Sequence, residues 1–257
     1  MNLFEQVGYL LSNYWLWFLE GLAATIILSV VGTIGGLMIG IFLALGSRIK
    51  IGKHDKWYNK TWKGFILGFC YFYSTVIRGT PMMVQAMIFK YSCQGAGLNF
   101  NNVLTGIPVF DGWLIAGLVV ITLNTAAYMG EIVKSGLNGI SKGQIEAARS
   151  LGMTRNQSMF SVALPQAIKN SIPTIGSEWI VNIKDSSVLN VIGVTELYFM
   201  SNQAANKGYM FIASYTIIAL IYLMLTLCTN GILHIAKIKL DGKKVSFPLF
   251  HYQKKAS

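Results

Sequence analysis

Residues 21–46, GLAATIILSVVGTIGGLMIGIFLALG, run for 26 positions without a charged side chain. A helix needs about 20 apolar residues to cross the hydrocarbon core of a bilayer, so this run spans it with residues left for tilt. The rest of the chain agrees. Only 12% of its 257 residues are charged and 53% are hydrophobic, against roughly 25% charged in an ordinary soluble domain. Cys70, Cys93 and Cys228 lie far apart, as do His54, His234 and His251, which argues against a disulfide scaffold or a zinc site. The chain reads as a multi-pass protein of the cell membrane.

A formal charge of +11 raises nucleic acid as a partner, and the distribution of charge argues against it. Most of the basic residues cluster in three groups, Arg48–Lys63, Lys134–Lys169 and Lys237–Lys255, each beside an apolar run. That is the positive-inside pattern of cytoplasmic loops, and anionic lipid headgroups account for it.

Five crossings follow. The first is 21–46, preceded by an external or interfacial segment, 1–20, with Tyr14, Trp15, Trp17 and Phe18 at the headgroup level. No basic residue precedes it, so a cleavable signal is not expected. A second stretch, about 64–92, is broken at Arg78-Gly79-Thr80-Pro81 because proline lacks an amide proton and disfavours helix before it. It reads as an elbow up to Arg78 and a crossing from about Thr80. A loop over 93–112 follows, then crossings at 113–130, 172–200 and 209–236, and a basic cytoplasmic tail, 237–257. The charge pattern places the N-terminus outside and the C-terminus inside. Within the first crossing Gly32, Gly36, Gly40 and Ala44 form a ridge that admits a close backbone neighbour, inside one bundle or in a dimer.

The connection 131–171 is the most informative stretch. Ser141-Lys142-Gly143-Gln144 and Thr154-Arg155-Asn156-Gln157 both match a capping box. Gly152 suits the left-handed end of a helix. Two short helices joined by a tight turn are expected, the second running to about Leu164-Pro165. Such a rigid knob serves either as simple loop structure or as a docking surface.

Glu146-Ala147-Ala148, Gly152 and Val162-x-Leu164-Pro165 resemble the EAA signature of ATP-binding-cassette importer permeases, with Val162 in place of the usual Ile. Arg78-Gly79-Thr80-Pro81, Tyr128-x-x-Glu131-Ile132, Lys142-Gly143-Gln144-x-Glu146 and Asn182-x-Lys184-Asp185-Ser186-Ser187 resemble the polar-amino-acid subfamily (histidine, glutamate, glutamine, arginine and opine type) over roughly residues 15–236. The resemblance implies an all-α, type I permease bundle forming one transmembrane domain over 1–257. It also implies a coupling helix at Glu146, Ala147, Ala148, Leu151 and Gly152 seated on a cytoplasmic ATPase subunit. Further expected partners are a second permease subunit, identical or homologous, an external solute-binding protein and membrane lipid, but no nucleic acid. The chain has no G-x-x-x-x-G-K-[ST] phosphate loop. It is therefore expected to bind no cofactor and to have no catalytic residue or metal, ATP and Mg residing in the partner ATPase.

Transporter solute sites favour interrupted helices near the midplane, which points to 172–200. Glu178, Asn182 and Asp185 are four and then three residues apart, on one helical face. They line a polar path, or Lys184 and Asp185 pair locally at an interface. Arg78, Gln85 and Asn124 are further candidates, and Arg78 with Glu131 also reads as a structural ion pair. Met82, Met83 and Met87 read as packing. The competing class is a stand-alone secondary transporter or channel subunit, which leaves the folded connection unexplained. A membrane-embedded enzyme has no supporting motif.

Overall fold

The computed structural model describes residues 1–98, 100 and 112–240. Among them there is no strand. The first helix, α1 (Leu3–Gly46), takes in both the expected interfacial segment and the first crossing. Its 44 residues extend ~66 Å at 1.5 Å per residue, about twice a bilayer core. The helix opens on a capping box between Asn2 and Glu5, and Tyr14 (φ −127°, ψ 16°) breaks its regularity. Leu10 and Phe18, on either side of that kink, are buried against the last two helices.

The ridge on α1 faces α4 (Gly112–Asn138), and these two helices form the main packing of the molecule. A β-carbon on Gly32, Gly36 or Gly40 would lie 2.8 Å from Ile121, 2.7 Å from Thr125 or 2.6 Å from Met129. Only glycine permits this approach, so the ridge is spent on packing within one chain. Leu28, Leu114, Ile121 and Leu189 form a core at one end of the pair, and Ala44, Val133 and Leu137 at the other.

Between them, α2 (Trp57–Gly79) and α3 (Met82–Gly95) flank the expected break. Thr80 and Pro81 are extended (φ −123° and −65°). Lengthwise, α2 begins earlier than the hydrophobic stretch because Trp57, Tyr58 and Trp62 carry it outward, all three exposed. Met82 and Met87 pack on the core, while Met83 is half exposed. Apart from Leu98 and Phe100, the loop beyond Gly97 lies outside the described residues, and so does the basic tail from 241.

One expectation about the second half is corrected. The helix that starts at α6 (Arg155–Ser158) does not stop at Leu164-Pro165. A π-helical turn, Met159–Ala163, precedes α7 (Leu164–Asp185), which continues through Pro165 and Pro173. Pro165 occupies the first turn of α7, where a missing amide costs little, and the wider π turn gives its ring room. The interval 172–200 is interrupted, as its polar break at Lys184-Asp185-Ser186-Ser187 leads one to expect. After Asp185 the chain tightens into a 3-10 helix, Ser186–Ile192, turns at Gly193 (φ 99°), and starts α8 (Leu197–Gly208). The last helix is α9 (Phe211–Leu240). By length and hydropathy α1, α4 and α9 are sufficient to span a membrane.

Candidate functional site

The helix α5 (Lys142–Ser150) and α6 form the expected pair of short helices. They are joined at Gly152, whose φ of 87° is in the left-handed region. Its amide donates to the Arg149 carbonyl (3.0 Å) and the Met153 amide to Ala148 (3.2 Å). This is the paired closure of a Schellman end, and a side chain at residue 152 would strain it. Thr154 and Gln157 form a reciprocal capping box, with the Thr154 amide donating to Gln157 (2.8 Å) and the Gln157 amide to the Thr154 hydroxyl (3.3 Å).

Ser141 does not cap α5. Gln144, which should have completed that box, instead accepts a hydrogen bond from Gln166 at 2.8 Å. The contact ties α5 to α7, so a cross-helix bond has replaced a local one. Ala148 is buried under the turn and Ile145 packs on the Ala44–Val133 core. The opposite surface is open: Glu146 and Ala147 are exposed, and Leu151 is 83% exposed. A small, braced, two-helix unit therefore presents an acid, an alanine and a bare leucine outward. That combination suits a protein groove better than solvent.

The polar candidates separate into three places. Arg78 reaches Glu131 at 3.9 Å, Lys134 reaches the same carboxylate at 3.4 Å, and Arg78 also lies over the Tyr128 ring. Arg78, Glu131 and Lys134 line a cavity of about 720 Å³ between α1, α2 and α4. Next, Gln85 donates to the Ile77 and Thr80 carbonyls across the proline break, and Asn124 donates to Gln85 at 3.0 Å. The break in the second segment is thus sealed by a carboxamide and tied to α4.

The third place is α7. Asn182 is buried and donates to Thr33 (2.8 Å) while accepting from Thr125 (3.0 Å). It knits α7 to α1 and α4 and does not share an open face with Glu178 and Asp185. Helical geometry explains the difference. At about 100° per residue, positions seven apart differ by only ~20°, so Glu178 and Asp185 nearly superimpose while Asn182 is rotated by ~40° toward the core. Glu178 and Asp185 are half-buried beside the exposed Thr174, Ser177, Val181 and Lys184. Among the described residues, neither carboxylate has an ion-pair partner.

Sequence reasoning missed Thr33 and Thr125, whose hydroxyls receive Asn182, and Glu196. The Glu196 side chain is fully buried. It accepts from the Tyr198 and Phe199 amides (2.9 and 2.8 Å) and from the Tyr222 hydroxyl (3.1 Å), capping α8 against α9. No spacing rule marks it.

Comparison with known proteins adds a family to this geometry. Residues 58–237 match the family described as "Binding-protein-dependent transport system inner membrane component". The arginine transport system permease protein ArtQ of Bacillus subtilis is 37% identical over 209 residues, covering 81% of this chain and 85% of that protein. The glutamine transport system permease protein GlnP of Escherichia coli K12 is 32% identical over 216 residues, 84% of this chain and 89% of its own length. A solved structure described as an amino acid ABC transporter with histidines superposes with a TM-score of 0.74 at 31% identity, over 93% of this chain and 99% of that one. An inward-facing methionine ABC transporter shares the fold at 19% identity (TM-score 0.58).

Proposed function

The chain belongs to the family of binding-protein-dependent transport system inner membrane components, and from that premise we infer its work. It is the transmembrane permease subunit of an ATP-binding-cassette importer that moves a polar amino acid across the cell membrane. The relatives named for arginine and glutamine transport support the substrate class. The observation that carries the reading is the 142–163 unit, braced from beneath by Ala148 and Gln144–Gln166 and bare at Glu146, Ala147 and Leu151.

In this reading the unit is cytoplasmic and α5 is the coupling helix, seated on a separate ATPase that holds ATP and Mg. This chain holds neither. Closure of the ATPases moves α5, and the continuous path α6–π turn–α7 carries the movement into the membrane without a loop to absorb it. The bundle then switches between inward and outward access as a two-state element. A second permease subunit, identical or homologous, covers the open faces of α3 and α7, and an external binding protein delivers the solute.

The solute path runs along α7 past Glu178 and Asp185, with Arg78 in the neighbouring cavity and Gln85 and Asn124 bracing the break between α2 and α3. An ionisable group without a partner at this depth faces a cavity or a solute in preference to lipid. Asn182 holds α7 in place and does not line the path. The reading is tested by reconstituting the permease with its ATPase and binding protein in vesicles. Uptake of a labelled amino acid that requires ATP, and that a proton or sodium gradient does not replace, is the expected result. Uptake that follows the ion gradient and ignores ATP would establish the secondary transporter instead.

A further inference from the structure

A second cavity, of about 300 Å³, lies where the end of α1, the start of α2 and α6 with its π turn converge. Four cations line it, Arg48, Lys50, Lys63 and Arg155, and no carboxylate does. Two of these side chains already have partners. Lys63 is paired with Asp55 at 2.6 Å. That hydrogen bond, with one from the Gly52 amide, holds the Asp55 carboxyl below the usual aspartate range. Arg48 is bonded to the Asn138 carboxamide, which leaves its charge uncompensated. Lys50 and Arg155 have no acceptor among the described residues.

Apart from Asn156, the rest of the wall is apolar: Leu45, Ile49, Met159 and Phe160 complete it, and Phe160 is 57% exposed. Leu45 is also the last apolar residue of the long uncharged run, so the cavity sits where hydrocarbon gives way to headgroups. The adjoining first turns of α2 expose Trp57, Tyr58 and Trp62, side chains that favour the same level. Concentrated positive charge on an apolar floor at a membrane surface fits one ligand chemistry: a phosphate diester with attached acyl chains.

We propose that this cavity binds the phosphate of an anionic phospholipid from the cytoplasmic leaflet, held by Lys50 and Arg155 with Arg48 behind them. A headgroup there bridges the membrane end of α1 to α6, which is continuous with the coupling unit. The proposal rests on the membrane placement given under Proposed function.

The test takes the permease–ATPase complex from mixed phosphatidylcholine–phosphatidylglycerol vesicles and counts retained phosphatidylglycerol by native mass spectrometry. A basic residue near a membrane surface is worth about fivefold in headgroup binding, so Lys50→Gln with Arg155→Gln should lower retention on the order of twentyfold. Lys237→Gln with Lys239→Gln removes the same charge from the end of α9 and should leave retention unchanged. Equal loss in both pairs would reduce the effect to bulk charge and overturn the site. Displacement of the lipid by inorganic phosphate alone would overturn the lipid as its source. Retention only in the absence of the ATPase would assign the cavity to that subunit. With Cys70, Cys93 and Cys228 replaced by Ser, labelling of Lys50→Cys by an impermeant maleimide in intact cells would show that the membrane placement has failed; labelling only after permeabilisation keeps the two failures distinct.

Discussion

Asn182 on α7 donates to the Thr33 hydroxyl on α1 at 2.8 Å, joining residues 149 positions apart in the chain. With Thr125 accepted on its other side (3.0 Å), three helices share one carboxamide. Interhelical hydrogen bonds in membrane bundles average about 0.6 kcal/mol, whereas a buried group stripped of its partner costs about 1–3 kcal/mol. Thr33 and Thr125 can fall back on their own helix carbonyls, which places Asn182→Leu near the lower figure, at about 1 kcal/mol. A lowered melting temperature in detergent with uptake per folded molecule largely retained is the expected outcome. An unchanged melting temperature with lost uptake would move Asn182 to the solute path.

Glu178→Gln should show the opposite pattern. Its carboxylate has no ion-pair partner among the described residues, so removing the charge leaves nothing stranded and stability should hold or rise slightly. Uptake should fall at least tenfold, the effect of about 1.4 kcal/mol. Measured uptake equal to that of the natural protein would exclude Glu178 from the path.

Close helix contact makes a third test. At Gly40 an added β-carbon would stand 2.6 Å from the Met129 β-carbon and 2.8 Å from the Gly130 amide nitrogen. Backbone cannot yield as a side-chain tip does, and overpacking of this kind costs about 1–3 kcal/mol. Gly40→Ala should therefore lower the yield of folded subunit. Gly64→Ala, where nothing lies within 4 Å, should be neutral or stabilising by about 0.5–1 kcal/mol through helix propensity.

Acid sensitivity of the connection before α2 follows from Asp55. Its pKa is depressed, first by the Lys63 hydrogen bond and then by the Gly52 amide. A depressed carboxylate contributes stability that is present above its unfolded value and is lost as pH falls through the folded one. Lys63→Gln should raise the Asp55 value and move that loss to higher pH. A carbon-13 titration of the Asp55 carboxyl reads this directly.

These relationships were legible in the sequence to unequal degrees. Hydropathy located α1, α4 and α9 because a bilayer demands long apolar helices, and Pro81 marked the gap between α2 and α3. Gly152 was legible because the left-handed end of a helix has few substitutes. The failures share a cause. The Ser141 box yields to Gln144–Gln166, and the stop at Pro165 yields to the π turn, because tertiary contacts and a local change of helical pitch are invisible to spacing rules. In the solute region, the three-residue face over 178–185 gave the right helix, but the choice of which edge turns inward depended on Thr33 and Thr125 far away in the chain. Glu196 was missed for the same reason, since Tyr222 lies a helix away.

In the function proposed above, α5 and its Gly152 turn convert ATP hydrolysis into transport. The most direct measurement is uptake and ATP hydrolysis, side by side, in vesicles carrying the permease, its ATPase and its binding protein. Glu146 is exposed and bonds through its side chain to nothing described, so Glu146→Arg should fold and insert normally. This variant should lose uptake while ATP hydrolysis either persists without transport or disappears with ATPase docking, and Gly152→Pro should do the same. Normal, ATP-dependent uptake by both variants would contradict this coupling role.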